Sequence, residues 1–480
     1  MTKPVRSLAL LALLPSALLA QRPAEFGPEV QPFITVDAPV VALTGVTVID
    51  GTGAAARASQ TVVLANGRIQ AVGADGSVTI PTGARVLALA GHTVIPGLLG
   101  MHDHMFYTPP QGGSIQMPFS APRLYLASGV TTVRTTGSFS TYAELNLKAS
   151  IDRGEVPGPR MHITAPYIIS PGPNAGLSSM GMQEVDTEEA ARRTVRYWAE
   201  EGASWIKGYT QLRRDIFRAV VDEAHKHGLK VTGHLCSISF TEAVELGIDA
   251  IEHGFRTNSD YDRAKEPDVC PATHFATLAK LEMKDPRVAR TFETMIAKGV
   301  GMTTTTVNEE LAPNRPGPDA RTLSVMAPWI AERELERRRL LDSGDPAGQT
   351  YPHMGEIYPK SREYELAFVR AGGLLAAGVD PAFGTLPGFG DQRNLELLVE
   401  AGFTVPEAVK VITANGATML GTIATQGTIE PGKRADLLVI PGDLVRDPSA
   451  IRRTVTVFKD GVGYDSAKLI AAVKGQVGIR

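Results

Sequence analysis

Eight times along this chain a short apolar run gives way to a stretch of helical periodicity. The runs are Thr93–His104, Val130–Arg134, Met161–Ala165, Trp205–Tyr209, Lys230–His234, Ala250–His253, Val300–Thr305 and Leu374–Asp380. Among the stretches between them, Thr187–Glu201, Arg213–His227, Phe240–Gly247 and Glu332–Asp342 place apolar residues at helical spacing. Strands alternating with helices predict an α/β fold built on a parallel (β/α)8, TIM-like barrel, with its active site at the C-terminal ends of the strands. The third run and Ser170–Val185 fit this pattern least well.

The chain has 480 residues, more than one ordinary core holds, and both ends read differently from the middle. Val41–Ile49, Thr61–Leu64, Arg68–Val72 and Arg85–Leu89 are short β-like runs separated by the turn pairs Asp50-Gly51, Asn66-Gly67 and Asp75-Gly76. Ala435–Ile440 and Thr454–Lys459, followed by Asp460-Gly461, form a matching piece. The expected organisation is a small β-sandwich from residues 40–92 and 422–480, with the barrel over 93–421 inserted between them.

The first twenty residues follow the plan of a secretory signal peptide. Lys3 and Arg6 precede the apolar run Ser7–Leu14, Pro15 breaks it, and small residues lead to Ala20 before Gln21. Leu18 fits the cleavage pattern poorly, so the cut site stays open. Gln21–Pro39 reads as a tether, and no later segment is long and apolar enough to cross a membrane. The expected location is secreted or periplasmic. A net charge of −3 gives no field that recruits nucleic acid. The expected partner is a small-molecule substrate, and a homo-oligomer is compatible with these numbers. Cys236 and Cys270, the two cysteines, can form at most one bridge. Cys236, two residues past His234, reads as a small buried filler.

The densest chemistry lies in VIPGLLGMHDH, residues 94–104. On a strand, His102 and His104 point to one face, where two neutral imidazoles can grip a zinc-like metal. Alone, such a pair fits a structural or surface role equally well. However, His234, His253 and Asp380 also end strand candidates, and all are metal-ligand types. Lys207, in WIKGY, is open to two readings. A lysine among apolar residues is commonly a snorkelling or ion-paired side chain. Near a dicationic site, burial and like charge would instead lower its pKa, and the neutral amine could add CO₂ to form a bridging carbamate.

The motifs resemble those of the amidohydrolase superfamily over essentially the whole mature chain. VIPGLLGMHDH is similar to its first-strand motif, and GIDAIEHG (247–254) and GTIEPGKRADLLV (427–439) are similar to later ones. The branch resembled is the imidazolonepropionase-like and prolidase-like group. The resemblance implies two Zn²⁺ ions held by His102, His104, His234, His253, Asp380 and a carbamylated Lys207 that bridges them. There are departures. Arg134-Thr135-Thr136-Gly137 stands where Arg-Asp-x-Gly is common, Asp103 separates the histidines and should point away from the metal, and Val379 replaces a usual Thr.

The expected activity is hydrolysis of an amide, peptide or related C–N bond by metal-activated water, with Asp380 moving the proton. Tyr209, Arg134 and Arg256 are candidate substrate contacts. The branch implies small N-acyl or proline-containing dipeptide substrates. One alternative is a single-metal cyclic-amide hydrolase or deaminase with unmodified Lys207. Another is a non-catalytic secreted binding protein on the same scaffold. His225 and His227 flank a helix end and are set aside. Glu332–Arg339 reads as a solvated charged face, and Ala312–Asp319 as a local Pro/Gly loop.

Overall fold

A computed structural model describes residues 23, 25–110, 112–172, 175–310, 312–349 and 351–479. The signal-peptide reading falls outside them. The middle of the chain forms eight parallel strands in sequence order: β1 (Leu98–Asp103), β2 (Val130–Thr135), β3 (Arg160–Ile169), β4 (Trp205–Gly208), β5 (Lys230–Gly233), β6 (Ala250–Glu252), β7 (Gly301–Thr304) and β8 (Leu375–Ala377). Just beyond β8, the last strand meets the first, where Asp380 N donates to His102 O at 2.8 Å. Helices including Glu188–Glu200, Arg214–Lys226 and Phe240–Glu245 cover the outside. The Thr187 hydroxyl caps the first of these, and a Ser239/Glu242 capping box starts the third.

Alternation along each strand sorts the side chains. Val133, Ile206, Val231 and Ile251 join the core between barrel and helices. Their neighbours Arg134, Lys207, Thr232 and Glu252 turn inward and are also buried. Two residues before Lys207 and Glu252, and so on the same inward face, Trp205 and Ala250 join Met101, Ala376 and Met419 in a small apolar cluster.

The chain ends build a second, nine-stranded sheet, in which Leu437–Pro441 pairs antiparallel with His92–Pro96. Val94, Leu437 and Val439 face a core of their own, while Ile95, Leu438 and Ile440 face the barrel. Thr93–His104 is therefore two strands, not one. The chain leaves the outer sheet at Pro96 and enters the barrel at Leu98. Gly97 makes the passage because a Cβ there would overlap Thr131. Nor is the end of the expected tether free, since Ile34–Val36 pairs with Val462–Asp465.

Two further expectations change. Cys236 is not a free filler but bridges Cys270, with Cα atoms 4.9 Å apart. Glu332–Arg339 is not a solvated face throughout, because Glu334 is fully buried and bonded by Tyr107 Oη and Arg337 Nε. Among the described residues, no helix is long and apolar enough to cross a membrane.

Candidate metal centre

The strand order brings all six expected ligands to the C-terminal end of the barrel. His102 lies on β1 with His104 two residues on, and their rings stand perpendicular with centroids 5.3 Å apart. His253, directly after β6, lies 4.3 Å from the His102 ring and 4.2 Å from that of His234. Asp380 Oδ1 is 3.4 Å from His104 Nε2 and 3.9 Å from His102 Nε2, and its Oδ2 is 3.8 Å from His253 Nδ1. His253 and Asp380 both hold left-handed backbone, φ +66° and +47°, a conformation strained for residues other than glycine. Gly378 permits the approach of β8 to β1, since a Cβ there would overlap the His102 backbone.

Ligand atoms of His102, His104 and Asp380 lie within 4.8 Å of one another, so these three could hold a divalent ion. The donor chemistry fits. Burial pushes the His102 imidazole down to about 4, with the Lys207 charge adding to the effect. Burial likewise lowers His104, His234 and His253, which favours the neutral imidazole a metal would need. Burial opposes ionisation of Asp380, but the His104 bond, the neighbouring imidazoles and Lys207 hold its carboxyl well below the usual range. His253 Nε2 is a buried nitrogen with no protein partner among the described residues.

Lys207 is 1% exposed and makes no ion pair among the described residues. Its Nζ donates to Thr136 O at 2.9 Å, lies 3.4 Å from His102 Nε2, and sits 4.8 Å above the Tyr167 ring. Burial takes the amine down to about 8, although Glu252 and Asp380 pull the other way.

Beneath the imidazoles lies a carboxylate that the strand-end pattern did not single out. Glu252 Oε2 bonds His102 Nδ1 at 2.7 Å, which leaves Nε2 for the centre. A carboxylate behind a ligating imidazole fixes its tautomer and orientation. Glu252 Oε1 takes a bond from Arg134 Nη2 at 2.5 Å and another from Thr232 Oγ1. Burial would raise this carboxyl, but Arg134, His102 and Lys207 bring it to about 2. The signal was available in the sequence AIEH, where a carboxylate stands alone in an apolar strand.

Arg134 must be reassigned. It is fully buried, bonds Glu252 and the Met101 carbonyl, and lies 4.5 Å over the Trp205 ring. It lies beneath the imidazoles, bonded to the carboxylate that holds His102. Arg256 and Tyr209 do border the imidazoles: Arg256 Nη2 is 3.0 Å from His253 Nδ1, and the Tyr209 ring is 5.0 Å from that of His234. Two further neighbours escaped sequence reasoning. Tyr167 Oη is 3.5 Å from His104 Nε2, and Asn308 Nδ2 donates to Asp380 Oδ2 at 3.2 Å. Asp103 turns to Val379 N, as its position between the histidines implied.

Residues 93–318 and 374–463 match the Amidohydrolase family, which covers most of the chain and every residue of this centre. The chain belongs to the amidohydrolase family. Within that family it is 28% identical to the enamidase of Eubacterium barkeri over 180 residues, 37% of this chain and 44% of that protein. It is 51% identical to the imidazolonepropionase of Porphyromonas gingivalis over 39 residues, 8% of this chain and 9% of that one. The chain thus spans less than half the length of these curated relatives. A solved Xaa-Pro dipeptidase with bound methionine superimposes with a TM-score of 0.67 at 20% identity, covering 89% of this chain and 100% of that one. The bottromycin amidohydrolase does so with a TM-score of 0.66 at 20% identity, covering 91% of each. These structures share the amidohydrolase fold with this chain.

Proposed function

We propose that this chain is a metal-dependent hydrolase that cleaves an amide or peptide C–N bond in a small substrate. The observation that carries the reading is the cluster of His102, His104 and Asp380 at the strand ends, with His253 Nε2 beside it, which has no partner among the described residues. His102, His104, His234, His253, Asp380 and a carbamylated Lys207 would hold two zinc ions. Bound divalent ions of this kind lower the pKa of water and polarise a carbonyl. A carbamate on Lys207 would replace a positive group with a negative one that can bridge, and burial of the amine without a carboxylate partner among the described residues favours the neutral form that adds CO₂.

Asp380 is the general base in this reading. Its Oδ2 takes the proton of the attacking water and returns it to the leaving amine. Asn308 orients that oxygen. Tyr209 and Arg256 contact the substrate, with the guanidinium suited to a carboxylate. The names of the relatives favour enamides, proline dipeptides and other amides as the class to test, N-acyl amino acids included.

A second reading has a specific support: His102, His104 and Asp380 alone make a compact set for one ion. That enzyme would be a cyclic-amide hydrolase or deaminase with free Lys207. Metal analysis of purified protein, beside a screen of dipeptides, N-acyl amino acids and lactones, separates the two. Two zinc ions per chain and amide hydrolysis are expected. One ion with activity on cyclic substrates alone would select the second reading, and no metal with no turnover would sink both. We also propose that the chain is exported, with the Cys236–Cys270 bridge as support because such bonds persist in oxidising compartments.

A further inference from the structure

A cavity of about 270 Å³ lies against the loop that follows Asp380, and none of the six candidate metal ligands lines it. Pro318, Phe383, Leu386 and Phe389 supply apolar wall. One side is the Pro/Gly-rich segment 316–319, for which the metal chemistry has no use. Five arginines line the cavity against two acids, Glu310 and Asp319.

Four of those arginines pair with acids. Arg338 pairs with Asp342, Arg393 with Glu310, Glu396 and Glu400, and Arg452 with Glu396 and Asp319. The fourth, Arg337, pairs with the buried Glu334, and neither it nor Arg321 is fully spent. Arg321 makes no ion pair among the described residues; its Nη1 donates to Gln392 Oε1 at 2.8 Å, and its guanidinium lies 3.7 Å over the Phe389 ring. Arg337 gives Nη2 to the Phe383 carbonyl at 2.7 Å and Nε to Glu334 at 3.3 Å. It is 6% exposed, yet its Nη1 has no partner among the described residues. A buried guanidinium N–H without an acceptor is costly, and an anion would satisfy it.

We infer that this cavity is a second ligand site, which takes a small organic carboxylate with an apolar body. The carboxylate sits between Arg321 and Arg337, and the hydrocarbon packs on Phe383, Leu386 and Phe389. An inorganic anion would satisfy the arginines but leave the apolar walls in water. The volume, near the lower end of known ligand pockets at roughly 300 Å³, suits a ligand of about one ring.

Calorimetric titration of the full-length protein with 3-phenylpropanoate tests the site. Wild type and His102→Ala should bind it alike. Arg321→Gln should bind about tenfold more weakly, the loss of one charge-assisted hydrogen bond, with Arg321→Lys in between. Arg321 is partly exposed, so its variants should fold, and unchanged thermal midpoints confirm that. Inorganic phosphate should bind at least about tenfold more weakly than 3-phenylpropanoate, because it buries no apolar surface. No binding by the wild type, binding lost in His102→Ala but kept in Arg321→Gln, or phosphate binding as tightly would each overturn the assignment. None of these outcomes bears on whether the metal centre hydrolyses amides.

Discussion

Glu252 joins the chemistry of the proposed centre to the stability of the barrel, because one carboxylate serves both His102 and Arg134. Glu252→Gln should lower metal affinity about 10–100-fold, the usual effect of losing such a partner, although every direct ligand remains. It should also destabilise the fold by about 3–5 kcal/mol, because Arg134 is left charged and buried. Urea unfolding of Glu252→Gln/Arg134→Met should show recovered stability while zinc titration does not; recovery of both would mean that Glu252 acts only on the fold. The pH sign follows from the same pair. Folding lowers the Glu252 carboxyl to about 2, so its stabilisation is complete above the unfolded value and is lost as pH falls through about 2. The urea midpoint should therefore drop between pH 5 and pH 2, and less so in Arg134→Met. At Lys207, the carbamate reading expects Lys207→Ala to lose metal and to regain part of its activity in the presence of small carboxylic acids. Full metal and full activity in Lys207→Met would instead leave the single-ion reading.

At the scale of elements, the site depends on two places where backbone passes too close for a side chain. Gly378→Ala would press on the His102 backbone, and Gly97→Ala would press on Thr131 at the crossing between sheets. Each should destabilise by about 1–3 kcal/mol, the ordinary cost of overpacking. Only Gly378→Ala should also lower zinc content steeply, because it displaces two ligand-bearing strands at once. Equal zinc loss in both would argue that the centre responds to general loosening. Most of the barrel strands were legible because an apolar run gives way to a polar residue; the third run, Met161–Ala165, lacks that signal. The break at Gly97 was not, because both halves of Thr93–His104 are apolar and buried, and nothing in their pattern says that they pair with different partners.

At the scale of the whole molecule, the two chain ends meet in one sheet whose alternate residues pack on the barrel. The disulfide closes a loop of 34 residues. Chain-entropy arguments assign such a closure about 3–4 kcal/mol. Cys236→Ser/Cys270→Ser should lose about that much by denaturant unfolding, and the wild type should lose it when reduced. An insensitive wild type would show that the bridge does not form. Material from the native host should begin near Gln21 by N-terminal sequencing, and an intact Met1 on cytoplasmic protein would refute export.

By itself the sequence determined the barrel class and the identity of the strand-end side chains. Both are local properties: a run's polarity pattern and the residue that ends it do not depend on what lies elsewhere. Which of those side chains share a site, and which merely support one, was decided only by the tertiary structure. Arg134 reads from sequence as a candidate substrate contact and Glu252 is passed over, and only barrel closure turns them toward each other beneath His102. The partner of Cys236 and the arginines around the second cavity come from segments far apart in the chain, so their meeting depends on how helices and loops pack over the strands.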